Sequence, residues 1–168
     1  YFFQPPPYHS HKNKNKKYIE GFEEGRIYNG FRFVYPLFKK DTYIGSVEIS
    51  LSTLAFIENL YKIHNIETQL IMFKTIVNKK LFKSEKLNYV NSTHDDFYFE
   101  KNIIDTYPLK LNLKRFDISE KIKKKKPFSI YIKNGNNYIS TFIPLVNPVT
   151  KQAVGSLILN KKNKYIEN

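Results

Sequence analysis

The chain has 168 residues, a length that fits one or two small domains. Its hydrophobic content of 41%, with 16% aromatic, supplies a folded core and excludes a disordered chain. The absence of Cys excludes disulfides, thiolate metal sites and thiol nucleophiles, and the net charge of +13 admits nucleic acid, an anionic membrane surface or an acidic ligand as partner.

Almost all of the basic excess is Lys, because only Arg26, Arg32 and Arg115 are arginines. Lys, Asn, Ile, Tyr and Phe are abundant together, as in proteins of AT-rich genomes, so a solvated basic face accounts for much of the charge. No run approaches the roughly 20 apolar residues that span a bilayer, and no signal peptide is visible. The chain begins with Tyr, and we expect it to be a piece of a longer protein.

Residues 1–20 read as loop, with Pro5-Pro6-Pro7 favouring an extended segment and "HKNKNKK" polar throughout. The next stretch, "GFEEGRIYNG", is punctuated by Gly21, Gly25 and Gly30. "FRFVYPLF" and "YIGSVEISL" are rich in β-branched and aromatic residues, and the "KKDT" between them predicts a hairpin. Pro36 cannot donate to a ladder and belongs near an edge, a bulge or a strand end.

Residues 53–64, "TLAFIENLYKIH", change period. Leu54, Ile57 and Tyr61 recur at helical spacing, Ser52 or Thr53 caps the start and Asn65 ends the helix. "TQLIMFKTIV" (68–77) reads as a mostly buried strand, with "NKKLF" as its turn and partner. Residues 84–126 carry weak periodicity, apart from a short helix in "DISEKIKKKK" capped by Asp117 or Ser119. After Pro127 the sequence predicts three strands, with Asn-Gly in the first turn and Asn147-Pro148 in the second.

Two stretches share a grammar. "VYPLFKKDTYIGSVEI" (34–49) and "FIPLVNPVTKQAVGSLIL" (142–159) each run from an apolar segment through Pro-Leu and a polar turn to Gly-Ser and a second apolar segment. Pro36-Leu37 corresponds to Pro144-Leu145, and Gly45-Ser46 to Gly155-Ser156. The copies differ by two residues in the turn, a place that tolerates insertion. We read them as two copies of one antiparallel strand–turn–strand unit, each Gly marking a close backbone approach or a kink.

This grammar resembles the Cache domains, the PAS-like extracytoplasmic sensor modules of bacterial chemoreceptors, sensor histidine kinases and cyclic-di-nucleotide signalling enzymes such as diguanylate cyclases. The likeness lies in residues 21–60 and 127–160, which is similar to a double-Cache arrangement. It implies an α+β fold of α/β PAS-like type, with antiparallel sheets and flanking helices. It divides the chain into residues 1–51, an N-terminal loop and hairpin forming an incomplete first module, and residues 52–165, a second module. A Cache module usually opens with a long helix and a strand pair before its final three strands, and the first copy lacks them.

The resemblance further implies a ligand-sensing role in the periplasmic part of an inner-membrane receptor, without catalysis and without a cofactor. The partners would be a small-molecule ligand, a carboxylate among the candidates, the parent receptor's membrane and cytoplasmic signalling domains, and a second copy in a homodimer. The alternative reading is a Lys-rich nucleic-acid-binding domain. No G-x-S-x-G, P-loop or dinucleotide fingerprint supports an enzyme.

The residues themselves suggest a site in "EEGRIYNGFRFVY". Two of the three arginines fall there, and Arg offers a planar fork that Lys cannot. One reading is a cationic and aromatic cradle for a small anion built from Arg26, Tyr28, Arg32 and Tyr35. The plainer reading is a cross-strand Arg32–Glu48 ion pair, with Glu24–Arg26 as another. In the second copy Tyr131, Tyr138 and Thr141 offer an aromatic and hydroxyl lining suited to small organic ligands, or ordinary sheet rim. His9, His11 and His94 have too few partners at ligand spacing for zinc. "KIKKKK" (121–126) reads as a solvated face, with anionic lipid or nucleic acid as the alternatives.

Overall fold

A computed structural model describes residues 17–24, 29–80, 88–108, 111–134 and 136–162. The fold is α+β with antiparallel sheets. The small sheet contains β1 (Ile19–Glu23), β2 (Gly30–Lys39) and β3 (Thr42–Ser52), in that order. Helix α1 (Thr53–His64) follows β3 without a break. The large sheet contains β4 (Glu67–Phe73), β5 (Tyr89–Asn91), β6 (Phe97–Glu100), β7 (Phe128–Asn134), β8 (Asn136–Val146) and β9 (Ala153–Lys162), in the order β5-β6-β4-β9-β8-β7. Helices α2 (Lys74–Lys80), α3 (Lys101–Thr106) and α4 (Ile118–Lys123) and a 3-10 turn at Leu113–Arg115 fill the connections.

The hairpin and α1 form where the sequence predicts them. The Ser52 side chain accepts from the Ala55 amide, and Asn65 ends the helix in the left-handed region at φ 50°. Residues 19 and 20 belong to β1 and not to a loop. The strand predicted over 68–77 stops at Phe73, and Lys74–Lys80 form α2 instead. The physical reason is ladder length: β6 begins opposite Phe73 at Phe97, and after one further bond, from the Lys74 amide to the Asp96 carbonyl, the chain opposite turns away. Ile76 and Val77 join the core from the helix. In "DISEKIKKKK", Asp117 stands at the cap position of α4 but makes no side-chain capping bond.

Two cores cover the two faces of the large sheet. Leu70 and Met72 of β4 point to the side shared with Ile57 of α1, Ile103 of α3 and Phe22 of β1. Ile71 and Phe73 point to the other side, with Phe97, Phe99, Phe142, Ile158 and the α4 residues Ile118 and Ile122. β4 and β9 lie at the centre of the six strands, and both read as near-continuous apolar runs because both faces are buried.

The two copies of the repeated grammar have the same register. Pro36 faces Ser46 and Leu37 faces Gly45, with a register shift after Leu37. Pro144 faces Ser156 and Leu145 faces Gly155, with a register shift after Leu145. The equivalence extends to a third strand. The β1–β2 ladder stops at Val34, two residues before Pro36, and the β7–β8 ladder stops at Phe142, two residues before Pro144. Each proline therefore sits in a middle strand, but beyond the reach of its outer neighbour and beside a bulge, where its missing N–H costs least.

The glycines of the two copies differ. A β-carbon on Gly155 would lie 2.1 Å from the Ile71 carbonyl oxygen of β4, so this glycine marks a close backbone approach. Gly45 has open space around it but a φ of +152°, a conformation that favours glycine. The small sheet meets the large one at the β8–β9 turn, where a β-carbon on Gly21 would press into Pro148 at 2.8 Å.

Candidate functional site

Arg32 and Glu48 form the expected cross-strand pair at 2.5 Å, diagonally across the β2–β3 ladder, since Arg32 itself faces Ser50. Arg32 also meets Glu23 of β1 at 2.5 Å and donates to Ser50 Oγ at 2.9 Å. The guanidinium fork is thus engaged by two carboxylates and a hydroxyl. Tyr35 lies three residues along the same strand, so it belongs to the opposite face, where its ring packs 4.7 Å from Tyr18. The expected cradle therefore does not assemble around Arg32 and Tyr35. Arg26 and Tyr28 lie outside the described residues.

The second set also divides. Tyr131 faces Ile139 and Thr141 faces Ser129, so Tyr131 and Thr141 share one face of the β7–β8 ladder, with Thr141 Oγ1 bonded to Ser129 Oγ at 2.9 Å. Tyr138 points to the other face, beside Ile132. Strand alternation alone separates it from the other two. His94 is held in its turn, with Nδ1 accepting from the Asp96 amide and its ring 5.1 Å from Phe97. His9 and His11 lie outside the described residues. Among the described residues, no group of three His, Cys, Asp or Glu side chains could hold a metal ion. No helix among them is long and apolar enough to cross a membrane.

A different cluster sits where the two sheets meet. Asn29, just ahead of β2, is 2% exposed. Its carbonyl accepts from both the amide and the hydroxyl of Thr53, the first residue of α1. Its side-chain amide donates to Tyr89 Oη at 2.8 Å and to Glu100 Oε2 at 2.7 Å. Tyr89 and Glu100 face each other on β5 and β6. One residue thus ties the root of the small sheet, the start of α1 and the edge of the large sheet together.

The electrostatics of this cluster are one-sided. Glu100 is 8% exposed, and burial pushes its carboxyl above the ordinary 4.5, against the lowering effect of the Asn29 hydrogen bond. Burial also pushes the Tyr89 phenol up to about 12, opposed by the Asn29 bond and reinforced by the charges of Glu100 and Glu24. Glu24 in turn accepts from the Asn147 amide in the β8–β9 turn at 3.3 Å. Among the described residues, Asn29 Oδ1 is buried with no hydrogen-bond partner. An unpaired buried acceptor is costly, and here it lies beside a buried carboxylate and a phenol oxygen. The chemistry suits a donor-rich, positively charged group.

The sequence reading missed Asn29, Tyr89 and Glu100. They come from three segments, with 60 and 71 residues separating Asn29 from its two partners. The one local signal is Glu100 closing the aromatic run "FYFE", a carboxylate where the pattern demands an inward-facing residue.

Comparison of the chain with protein-family models, with curated proteins and with solved structures found no match.

Proposed function

We propose that the chain is a ligand-sensing module of PAS-like, Cache-type architecture, the extracytoplasmic part of a membrane-bound signalling receptor, and that it binds a small amine rather than transforming a substrate. Three features support this reading. Helix α1 and the closing strands β7, β8 and β9 follow the element order that the family resemblance implies, and the strand pair between them, expected within residues 68–82, is formed by β4 with the later β6. The β1–β2–β3 unit repeats the register of β7–β8–β9. The observation that carries the ligand site is Asn29 Oδ1, buried without a partner among the described residues beside Glu100, where the residue just ahead of β2 meets the large sheet and α1.

An ammonium group bridging Asn29 Oδ1 and the Glu100 carboxylate would satisfy the orphan acceptor and neutralise the buried charge together. Such a ligand binds best when Glu100 is ionised and its bridged geometry is formed. It therefore shifts the population of junction conformations, and α1 carries that shift outward.

The test is a thermal-shift and calorimetry screen of amino acids, primary amines and polyamines against carboxylates. An amine should stabilise the wild-type chain, and Glu100→Gln should weaken its binding at least tenfold. If carboxylates bind and amines do not, the assignment of ligand class to this cluster is wrong. If neither class binds, the sensing role itself fails.

A further inference from the structure

The two copies of the three-strand unit are equivalent rung by rung, yet their corresponding faces are treated differently. In the second copy, Leu145 and Leu157 are 4% and 3% exposed, because Ile57 of α1 packs in the same core as both. Their counterparts in the first copy, Leu37 and Val47, are 41% and 45% exposed. Tyr35, Ile49 and Leu51 share that open face, at 43%, 55% and 38%. The opposite face of the same ribbon is polar, with Arg32, Glu48 and Ser50 bonded to one another.

We propose that this face of the small sheet is the docking surface for an amphipathic α-helix of a partner polypeptide, seated as α1 is seated on the second copy. The open face continues an interface that already exists. At its root, Phe31 packs against Phe22 at 5.7 Å and against Phe56 of α1 at 5.5 Å. Beyond Phe31 the same stripe runs outward, where the Tyr18 ring rests against Tyr35 at 4.7 Å while Leu37, Val47, Ile49 and Leu51 stay open. The five side chains leave on the order of 500 Å² in water, at the upper end of what monomers expose. A helix matching that area buries roughly 1,000 Å² in total, enough for a specific though weak interface.

Charge selects the kind of helix. Lys39 and Lys40 stand exposed in the turn at the end of the stripe, with Asp41 beside them, and the chain as a whole carries +13. Acidic residues flanking the partner's apolar stripe complement this field and speed encounter. A second copy of the chain would bring two such charges together, which disfavours self-pairing on this face.

The experiment uses a synthetic peptide of residues 53–64, the sequence that already covers the equivalent face, and a version with Glu in place of Lys62 and His64. Binding to the full chain is followed by fluorescence anisotropy and by the peptide's gain of helicity. Both peptides should bind, the acidic one at least threefold more tightly, and Val47→Thr/Ile49→Thr should weaken both at least tenfold. Those two sites are exposed and Thr keeps their β-branching, so the variant retains the fold. Circular dichroism checks this, and Leu37→Gln provides a second variant. Absence of binding, or binding indifferent to these substitutions, overturns the proposal. So does a dimer seen by light scattering that the substitutions dissolve, which gives the face to a second copy. Cosedimentation with phosphatidylserine vesicles that the same substitutions abolish, without peptide binding, gives it to lipid and equally overturns the proposal.

Discussion

Gly155 and Ile71 touch backbone to backbone: a β-carbon on the glycine would stand 2.1 Å from the isoleucine's carbonyl oxygen. A β-carbon on its counterpart Gly45 would meet nothing within 4 Å among the described residues, and what remains there is a φ of +152°. The same substitution should therefore act by two mechanisms. Gly155→Ala has to push β9 away from β4 and should cost upwards of about 3 kcal/mol. Gly45→Ala costs only its backbone strain, about 1 kcal/mol. Urea unfolding of both variants checks the order, and equal losses would contradict the close approach.

Glu100 sets a pH dependence. Burial holds its carboxyl above the ordinary 4.5 in the folded chain, so folding favours the protonated form. Its contribution is fully present below the unfolded value and is lost as pH rises through the raised folded value, with a slope of at most about 1.4 kcal/mol per pH unit. Glu100→Gln keeps an acceptor for Asn29 and has no proton to lose. The wild type should therefore lose stability relative to this variant as pH climbs from 4.5. Melting temperatures of both across that range provide the measurement, and parallel curves would remove Glu100 from the account.

Arg32 holds two carboxylates apart. Its side chain is 17% exposed and that of Glu23 is 15% exposed, so the three-way contact with Glu48 is only partly screened. Arg32→Ala leaves Glu23 and Glu48 without their shared cation and should cost about 1–3 kcal/mol. Arg32→Lys should recover less than half, since an ammonium cannot span both acids and Ser50 with a planar fork. Adding Glu23→Gln to Arg32→Ala should recover part of the loss, and a double-mutant cycle in denaturant measures the coupling.

Asn65 ends α1 at φ 50°, with its amide bonded to the Tyr61 carbonyl. Asn65→Gly should be neutral or stabilising by up to about 1 kcal/mol, because glycine adopts this conformation without strain. Asn65→Val should cost about 1–2 kcal/mol, because a branched side chain resists the left-handed region. Thermal unfolding separates the two.

Pro36, Leu37, Gly45 and Ser46 made the repeat legible, because proline and glycine mark backbone states that few other residues accept. The third strand of the repeat was not legible, since β1 and β7 share no such markers. Their equivalence lies in where their ladders stop. Strand order in the large sheet was hidden for a related reason. β9 inserts beside β4 through pairs such as Glu67 with Asn160, about half the chain apart, and no local pattern encodes them. α2 was misread because Ile76 and Val77 have β-forming side chains, and only the short partner strand excludes them from the ladder. The Arg32–Glu48 pair was readable from alternation along two strands. The Asn29, Tyr89 and Glu100 cluster was not, because each residue is ordinary in its own segment and the three meet only after both sheets have formed.

Ser52 is the last residue of β3 and Thr53 the first of α1, so no flexible joint separates ribbon from helix. A rigid seam of this kind cannot absorb torque. Rotation of the ribbon about its root would load the contacts that seat α1 on the large sheet, with eleven residues of strand on one side of the seam and twelve of helix on the other.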